Sequence, residues 1–276
     1  MTPLDYNYLC QFLKRSSGLS LGEDKGYLVS SRLQPLARDL GLGDISGLVR
    51  RMQAGGEQEL AVAVTEAMTT NETSFFRDMT PFDELRNYML PQLFEARTGY
   101  RSLRIWSAAC SSGQEPYTLA MLLHEMIPDI KSWRIEIVAT DIDRTILKRA
   151  QDGEYNGREV QRGLSADRIA RFFDQTDTGY RAKRALRDMI TWQQLNLMDC
   201  VGHLGTFDIV MCRNVLIYFD TSDKADIARR IHRQVASDGF LVLGAAETVI
   251  GLCDEFVRDS NCRSAVYTSA TAPALV

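Results

Sequence analysis

The segment Ser107-Ala108-Ala109-Cys110-Ser111-Ser112-Gly113-Gln114-Glu115-Pro116 is a run of small residues that opens a helix marked by Pro116. Small side chains let a ligand approach the backbone, and the unpaired N–H groups of a helix start can bond it. The run is not G-x-G-x-x-G, so taken alone it fits an unoccupied strand-to-helix turn equally well. A second feature lies 28 residues beyond Gly113, where Ala139-Thr140-Asp141-Ile142-Asp143 puts a carboxylate at the end of the next strand. Doubly wound folds hold there the acid that accepts both ribose hydroxyls of a nucleoside-bearing ligand. The usual separation is roughly 20 residues, and a long intervening helix accounts for the excess. Asp143 reads equally as a helix N-cap.

Two further strand ends carry side chains with no evident structural duty. Phe207 to Met211 leads into Cys212-Arg213-Asn214-Val215-Leu216-Ile217-Tyr218-Phe219-Asp220, and the strand containing Trp192 leads into Asn196-Leu197-Met198-Asp199. Ahead of the first strand, Thr69-Thr70-Asn71-Glu72-Thr73-Ser74-Phe75-Phe76-Arg77 packs hydrogen-bonding residues and two aromatics into a linker, an odd composition for a passive spacer. Each of these alone also admits a cap, an Asx turn or a satisfied core group.

The elements that must position these residues fall into two classes. Residues 1 to about 70 read as helices only: Leu9, Phe12 and Leu13 recur at helical spacing, and Lys25 to Leu40 carries Leu28, Val29, Leu33, Leu36 and Leu40 before Gly41. Lys25, Arg32 and Arg38 lie along that segment with no acidic residue between Lys25 and Arg38, which fits a solvated face or a landing strip for an acidic partner helix. Thr80-Pro81 reads as an N-cap hydroxyl followed by proline, starting a helix that runs to about Arg97. Beyond it, Ser102 to Ser107 and Trp133 to Thr140 read as strands flanking a helix from about Pro116 to Ile127. Further strands are expected at Met189 to Leu195, Phe207 to Arg213, Gly239 to Ala245 and Ala265 to Thr268, with helices at Ile142 to Ala150 and Lys224 to Ala236. This alternation predicts an α/β domain with a mostly parallel sheet. The long polar interval from Gln151 to Leu186 exceeds a simple connection and predicts a small inserted subdomain. From Arg144 to Arg187 eleven Lys or Arg stand against six Asp or Glu, a solvated face or a docking surface for something acidic.

Composition bounds the function. The chain has 276 residues, 45% hydrophobic and 25% charged, with 32 basic and 36 acidic residues for a net charge of −4. That is globular composition for one or two domains, and it argues against a surface that grips nucleic acid throughout. No run is long enough to span a membrane and the start shows no signal peptide, so a cytoplasmic protein is expected. The six cysteines and three histidines form no metal-ligand spacing, so neither a zinc site nor a disulfide framework is expected.

Taken together, TTNETSFFR at 69–77, WSAACSSGQEPY at 106–117, ATDID at 139–143, Asn196-Leu197 and FDIVMCRNVLIYFD at 207–220 resemble the CheR-type chemoreceptor methyltransferases, which esterify glutamate side chains using S-adenosylmethionine. The resemblance covers nearly the whole chain. It implies an α/β fold of the S-adenosylmethionine-dependent methyltransferase type, a Rossmann-like doubly wound sheet. An all-helical N-terminal domain at 1–69 for receptor docking, a linker and first helix at 70–97, and a methyltransferase domain at 98–276 with a β subdomain inserted at about 151–190 complete the implied organisation. It also implies roles: Asp141 on the ribose hydroxyls, Glu115 near the methionine amino group, Asn71, Thr73 and Arg77 covering the cofactor, Asn196 and Leu197 bordering the adenine, Arg213 and Asn214 bordering the methionine end. Arg77 and Tyr218 are the candidates for holding the incoming carboxylate, and S-adenosylhomocysteine is the implied product. The implied partners are chemoreceptor cytoplasmic helices, with Lys25, Arg32 and Arg38 as docking residues and no direct membrane insertion. Some members hold a short tethering peptide on the β subdomain. Asp174 to Met189 is short compared with those members, so recognition without a tether is expected.

Two rivals share much of this pattern. A methyltransferase of another substrate class would keep the fold and the cofactor site. Against nucleic acid stand the low isoelectric point and the lack of a Pro-Pro-aromatic loop where Asn214-Val215-Leu216 stands. A cofactor-sensing module without transfer is the other, and no motif is visibly broken in its favour.

Overall fold

The computed structural model describes residues 1–55 and 57–270. The chain divides into a smaller unit, residues 1–70 with Tyr218–Asp223, and a larger one, residues 71–217 with the remainder from Lys224.

The smaller unit is helical: α1 (Pro3–Ser17), α2 (Gly26–Asp39), α3 (Ile45–Ala54) and α4 (Gln58–Met68). Thr2 and Asp5 form a reciprocal capping box that starts α1 ahead of Pro3, and Gly18 ends it with a φ of 75°. Leu9, Leu13, Val29, Leu33, Leu48 and Val64 are fully buried in the shared core. Each such side chain contributes about 1.5–3 kcal/mol. Lys25 belongs to a 3₁₀ turn before α2 rather than to the helix itself, and Leu40 is 47% exposed just beyond the helix end.

The larger unit begins with α5 (Thr80–Glu84) and α6 (Leu90–Ala96). One continuous helix with a Thr80 cap was the expectation, and the structure corrects it. Thr80 is already helical, the N-cap is Met79 without a side-chain bond, and Leu85–Met89 forms a π turn in which Leu90 N–H donates to the Leu85 carbonyl. Pro91 supplies the reason, since it has no N–H to continue the α ladder. A seven-stranded sheet follows, formed by β1 (Ser102–Ala108), β2 (Arg134–Asp141), β6 (Ile190–Gln194), β7 (Phe207–Cys212), β8 (Val235–Leu243), β9 (Phe256–Arg258) and β10 (Val266–Ser269). Its order is β6-β2-β1-β7-β8-β10-β9. The first five strands run parallel and β10 is antiparallel to both β8 and β9. β1 therefore has β2 on one side and β7 on the other, so the strand order reverses there and opens a crevice at the carboxyl ends of these strands. Helices α7 (Gln114–Met126), α8 (Arg144–Asp152) and α12 (Thr221–His232) follow β1, β2 and β7. β9 escapes a sequence reading because three edge residues show no alternation worth the name.

Between α8 and β6 lies a separate antiparallel sheet, order β3-β5-β4, built from β3 (Glu154–Tyr155), β4 (Phe173–Thr176) and β5 (Gly179–Ala182). Three short helices, α9 (Gly157–Gln161), α10 (Ala166–Phe172) and α11 (Arg184–Arg187), accompany it. Among the described residues, no helix is long and apolar enough to cross a membrane.

Candidate cofactor and active site

The loop after β1 is held in an unusual conformation. Ala109, Ser111 and Gly113 have φ of 57°, 51° and 92°, a left-handed region that L side chains adopt at a cost of about 1 kcal/mol or more each. Gly113 is needed for a second reason: a Cβ there would stand 2.9 Å from Ala150 Cβ and 3.1 Å from the Trp192 ring. The small residues that suggested a ligand loop are thus also what lets this loop exist.

Asp141, the last residue of β2, is only 5% exposed. Its carboxylate accepts the Ser111 N–H at 2.8 Å and the Asp143 N–H at 3.0 Å, tying the two loops together. Burial pushes its pKa up to about 6, with the Asp143 charge adding to the rise and the backbone N–H donors opposing it. The carboxylate, with up to four acceptor sites, retains capacity for a further donor. Asp143 is the N-cap of α8, accepting from Thr145 and Ile146 N–H, and it also accepts Asn71 Nδ2 at 2.8 Å. The Asn71 carbonyl accepts Ser111 Oγ at 2.9 Å, so the linker reaches both loops. Thr73 lies half-buried two residues further on.

Arg213 joins three segments. Nη1 donates to Glu115 Oε2 at 3.0 Å, while Nη2 donates to the Arg77 carbonyl at 2.8 Å and to Asp78 Oδ2 at 2.9 Å. The guanidinium lies 5.3 Å from the Phe82 ring centroid, and its buried Nε has no hydrogen-bond partner. Glu115 Oε1 accepts Ser107 Oγ at 2.8 Å. The linker bends sharply where Arg213 grips it, with φ of 49°, 68° and 40° at Phe76, Asp78 and Met79. The Arg77 side chain turns the other way, Nη1 donating to the Glu72 carbonyl at 2.8 Å.

Glu247 is a site residue that the sequence reading missed. This buried carboxylate accepts N–H groups from Asn214 at 2.7 Å, Gly244 at 2.7 Å and Ile217 at 3.3 Å. It holds Asn214 at a φ of 58°. The strand-end rule that singles out Asp141 would have found it just past β8. Among the described residues, six of the seven non-glycine residues with left-handed φ, all but Arg101, fall in the linker, the β1 loop or the β7 loop. Strain concentrated in this way is a mark of functional sites.

Asn196 and Leu197 follow β6, and the Leu195 N–H bonds the Asp141 carbonyl at 2.9 Å, which keeps this turn at the end of β2. The Asn196 side chain accepts the Met198 N–H, an Asx turn, and the Leu197 carbonyl accepts Arg230 Nη1. Tyr218 is grouped instead with the smaller unit, its carbonyl accepting the Ser20 N–H at 2.9 Å, while Lys14 pairs with Asp220 and Asp223 of the same segment.

The three residues of the expected docking strip have different surroundings. Arg32 is half-buried and donates to the carbonyls of Met68 at 2.5 Å and Thr69 at 2.6 Å and to Thr70 Oγ1 at 2.8 Å, closing the end of α4. A helix end leaves carbonyls unpaired, and an Arg fork satisfies them. Lys25 pairs with its neighbour Asp24 at 3.2 Å, and Arg38 is exposed.

Histidines stand apart from this site. His203 bonds Gln193, His232 bonds Ser269 Oγ, and His124 sits near the far end of α7. The ionisable groups at the strand ends are carboxylates, guanidiniums and the buried thiols of Cys110 and Cys212. Among the described residues no group of three or more His, Cys, Asp or Glu is placed to hold a metal ion.

Comparison with known proteins identifies the family. Residues 71–264 match the family described as CheR methyltransferase, SAM binding domain, and residues 4–69 match CheR methyltransferase, all-alpha domain. Chemotaxis protein methyltransferase Cher2 of Pseudomonas putida is 44% identical over 258 residues, 92% of this chain and 93% of that protein. Chemotaxis protein methyltransferase 1 of Pseudomonas aeruginosa is 44% identical over 91% of this chain and 93% of its own length. The chemotaxis protein methyltransferase of Vibrio parahaemolyticus is 39% identical over 91% and 92%. The chain belongs to the CheR methyltransferase family and is an S-adenosylmethionine-dependent methyltransferase.

Proposed function

We propose that this enzyme esterifies glutamate side chains on the cytoplasmic helices of chemoreceptors, working in the cytoplasm. The observation that carries this reading is the match of residues 4–69 and 71–264 to the two domains of the CheR methyltransferases. A glutamate nucleophile has an ordinary pKa of ~4.3 and arrives ionised at pH 7, so it needs no general base. The names borne by the relatives support the receptor as substrate.

The residues present fit the cofactor. The loop at Ala109–Gly113 has no side chain larger than cysteine, Asp141 retains acceptor capacity, and Asp78, Glu115, Asp141 and Glu247 outnumber Arg77 and Arg213, which favours a ligand carrying positive charge. On this reading Asp141 takes the ribose hydroxyls, Asn196 and Leu197 border the adenine, and Glu115, Arg213 and Asn214 border the methionine end. Asn71, Thr73 and Arg77 cover the cofactor from the linker. When bound, S-adenosylmethionine supplies a methyl carbon made electrophilic by its sulfonium. Arg77 and Tyr218 orient the incoming carboxylate, one through the remaining donors of a guanidinium and the other through a single phenol. Too tight an Arg pair would stabilise the ground state, so the role of Arg77 is orientation. Charge is lost as the ester forms, so excluding water assists the reaction.

Residues 1–69 serve as the docking domain, with the charges of Arg38 and Lys25 facing an acidic receptor helix and Arg32 supporting the fold. The insertion carries a two-residue turn at Asp177–Thr178 between β4 and β5, and we read recognition as independent of a tethering peptide.

The test is incubation with a labelled methyl donor and receptor cytoplasmic fragments, followed by alkali. Label released as methanol is the expected result. Alkali-stable label would mean another substrate class, and no label would mean a cofactor-binding module without transfer.

A further inference from the structure

The small inserted sheet looks like an appendage, yet β3 sends a side chain to the loop after β1. Tyr155 is 3% exposed and its hydroxyl donates to the Ser112 carbonyl at 2.8 Å. A Cβ on Gly113, the next residue, would lie 3.0 Å from that same hydroxyl. The Tyr155 ring meets Phe75 of the linker edge-on at 5.0 Å, and Phe75 in turn meets Phe173 of β4 at 5.5 Å. Gly163, with φ of 108°, lets the insertion pass so close to the linker that a Cβ there would stand 1.9 Å from the Phe75 carbonyl oxygen. The insertion thus grips both the linker and the loop proposed to hold the cofactor.

We propose that Tyr155 is a positioning residue for the cofactor loop, and that the inserted sheet is coupled through it to cofactor binding. The inference rests on the reading of Ser107–Gln114 as that loop. Its basis is that Ser112 is buried, so its carbonyl must find a donor inside the protein. Without the phenol, the Ser112–Gly113 peptide turns to find another, and the N–H groups at the start of α7 move with it. Coupling of this kind is reciprocal: a ligand that orders the loop also orders the sheet.

Calorimetry with S-adenosylhomocysteine on the wild type and on Tyr155→Phe tests this. The variant keeps the ring and its packing but takes the donor from the buried Ser112 carbonyl, so its ligand-free melting temperature should fall modestly while affinity falls about fivefold to tenfold. A merely structural tyrosine would lower the melting temperature and leave affinity unchanged. In the wild type alone, adding S-adenosylhomocysteine should slow amide exchange in Glu154–Tyr155 and Gly179–Ala182. Affinity within twofold of wild type, or exchange in those strands unaltered by the ligand, overturns the proposal. A wild type that binds no S-adenosylhomocysteine would overturn the cofactor reading itself, and the inference with it.

Discussion

Arg213 Nη1 lies 3.0 Å from Glu115 Oε2, and through this bond the residue after β7 is fastened to the first turn of the helix after β1. The other terminal nitrogen of Arg213 holds the linker at Arg77 and Asp78. One buried side chain therefore fixes three stretches of chain, the outermost of which, at Arg77 and Arg213, lie 136 residues apart in sequence.

Replacing Arg213 should be costly in two ways. Arg213→Met leaves the half-buried Glu115 carboxylate without its ion-pair partner, a loss of about 1–3 kcal/mol. Arg213→Lys keeps the charge but cannot span Glu115, Asp78 and the Arg77 carbonyl from one planar fork. We expect Lys to recover part of the stability in urea unfolding, and affinity for S-adenosylhomocysteine to stay at least tenfold weaker, about 1.4 kcal/mol. Wild-type affinity in Arg213→Lys would show that the fork is not needed.

Asp141 gives a pH signature. Its pKa of about 6 in the folded protein lies above the ordinary 3.8, so the folded state binds the proton more tightly than the unfolded chain. This group's contribution to stability therefore falls as pH rises from about 4 to about 6. Ligand binding runs the opposite way, because hydroxyl donors need the ionised carboxylate. Affinity for S-adenosylhomocysteine should be level above pH 7 and fall by up to tenfold per pH unit below about 6. Asp141→Asn should bind weakly without that slope, as calorimetry across the range would show.

Glu247→Ala removes the acceptor for three backbone N–H groups, at an expected cost of about 2–4 kcal/mol in chemical denaturation. Glu247→Gln keeps one carbonyl oxygen and should fall between the two. Methyl transfer should drop in the same order, because the Asn214 turn relaxes from its left-handed φ of 58°. Unchanged turnover in Glu247→Ala would detach this carboxylate from the reaction.

The two arginines of α2 should separate cleanly. Arg32→Ala loses the bonds to Met68, Thr69 and Thr70 and should destabilise the protein by about 1–3 kcal/mol. Arg38→Glu should leave thermal stability unaltered and raise the Michaelis constant for receptor fragments, more so at low salt. A Michaelis constant indifferent to Arg38 would remove α2 from the docking surface.

What could be read in the sequence was whatever depends on local pattern. The strand ends at Ala108 and Asp141 announced themselves through short apolar runs that stop at small or acidic residues, and the order of strands and helices implied the sheet. Partners distant in sequence were not legible. The positive charge of Arg32 is plain, but only the fold brings the end of α4 to it. Glu247 stands in a stretch, Gly244 to Thr248, with no motif of its own, and its three donors come from two separate loops. Thr80 misled because a hydroxyl before proline is the usual helix start, whereas here the linker strain at Asp78 and Met79 moves that start one residue earlier.

The most direct test of the central claim is a crystal structure with S-adenosylhomocysteine bound. The ribose hydroxyls should lie on Asp141 and the amino-acid end beside Glu115 and Arg213. Ligand bound elsewhere, with Asp141 contacting only Ser111 and Asp143, would contradict it.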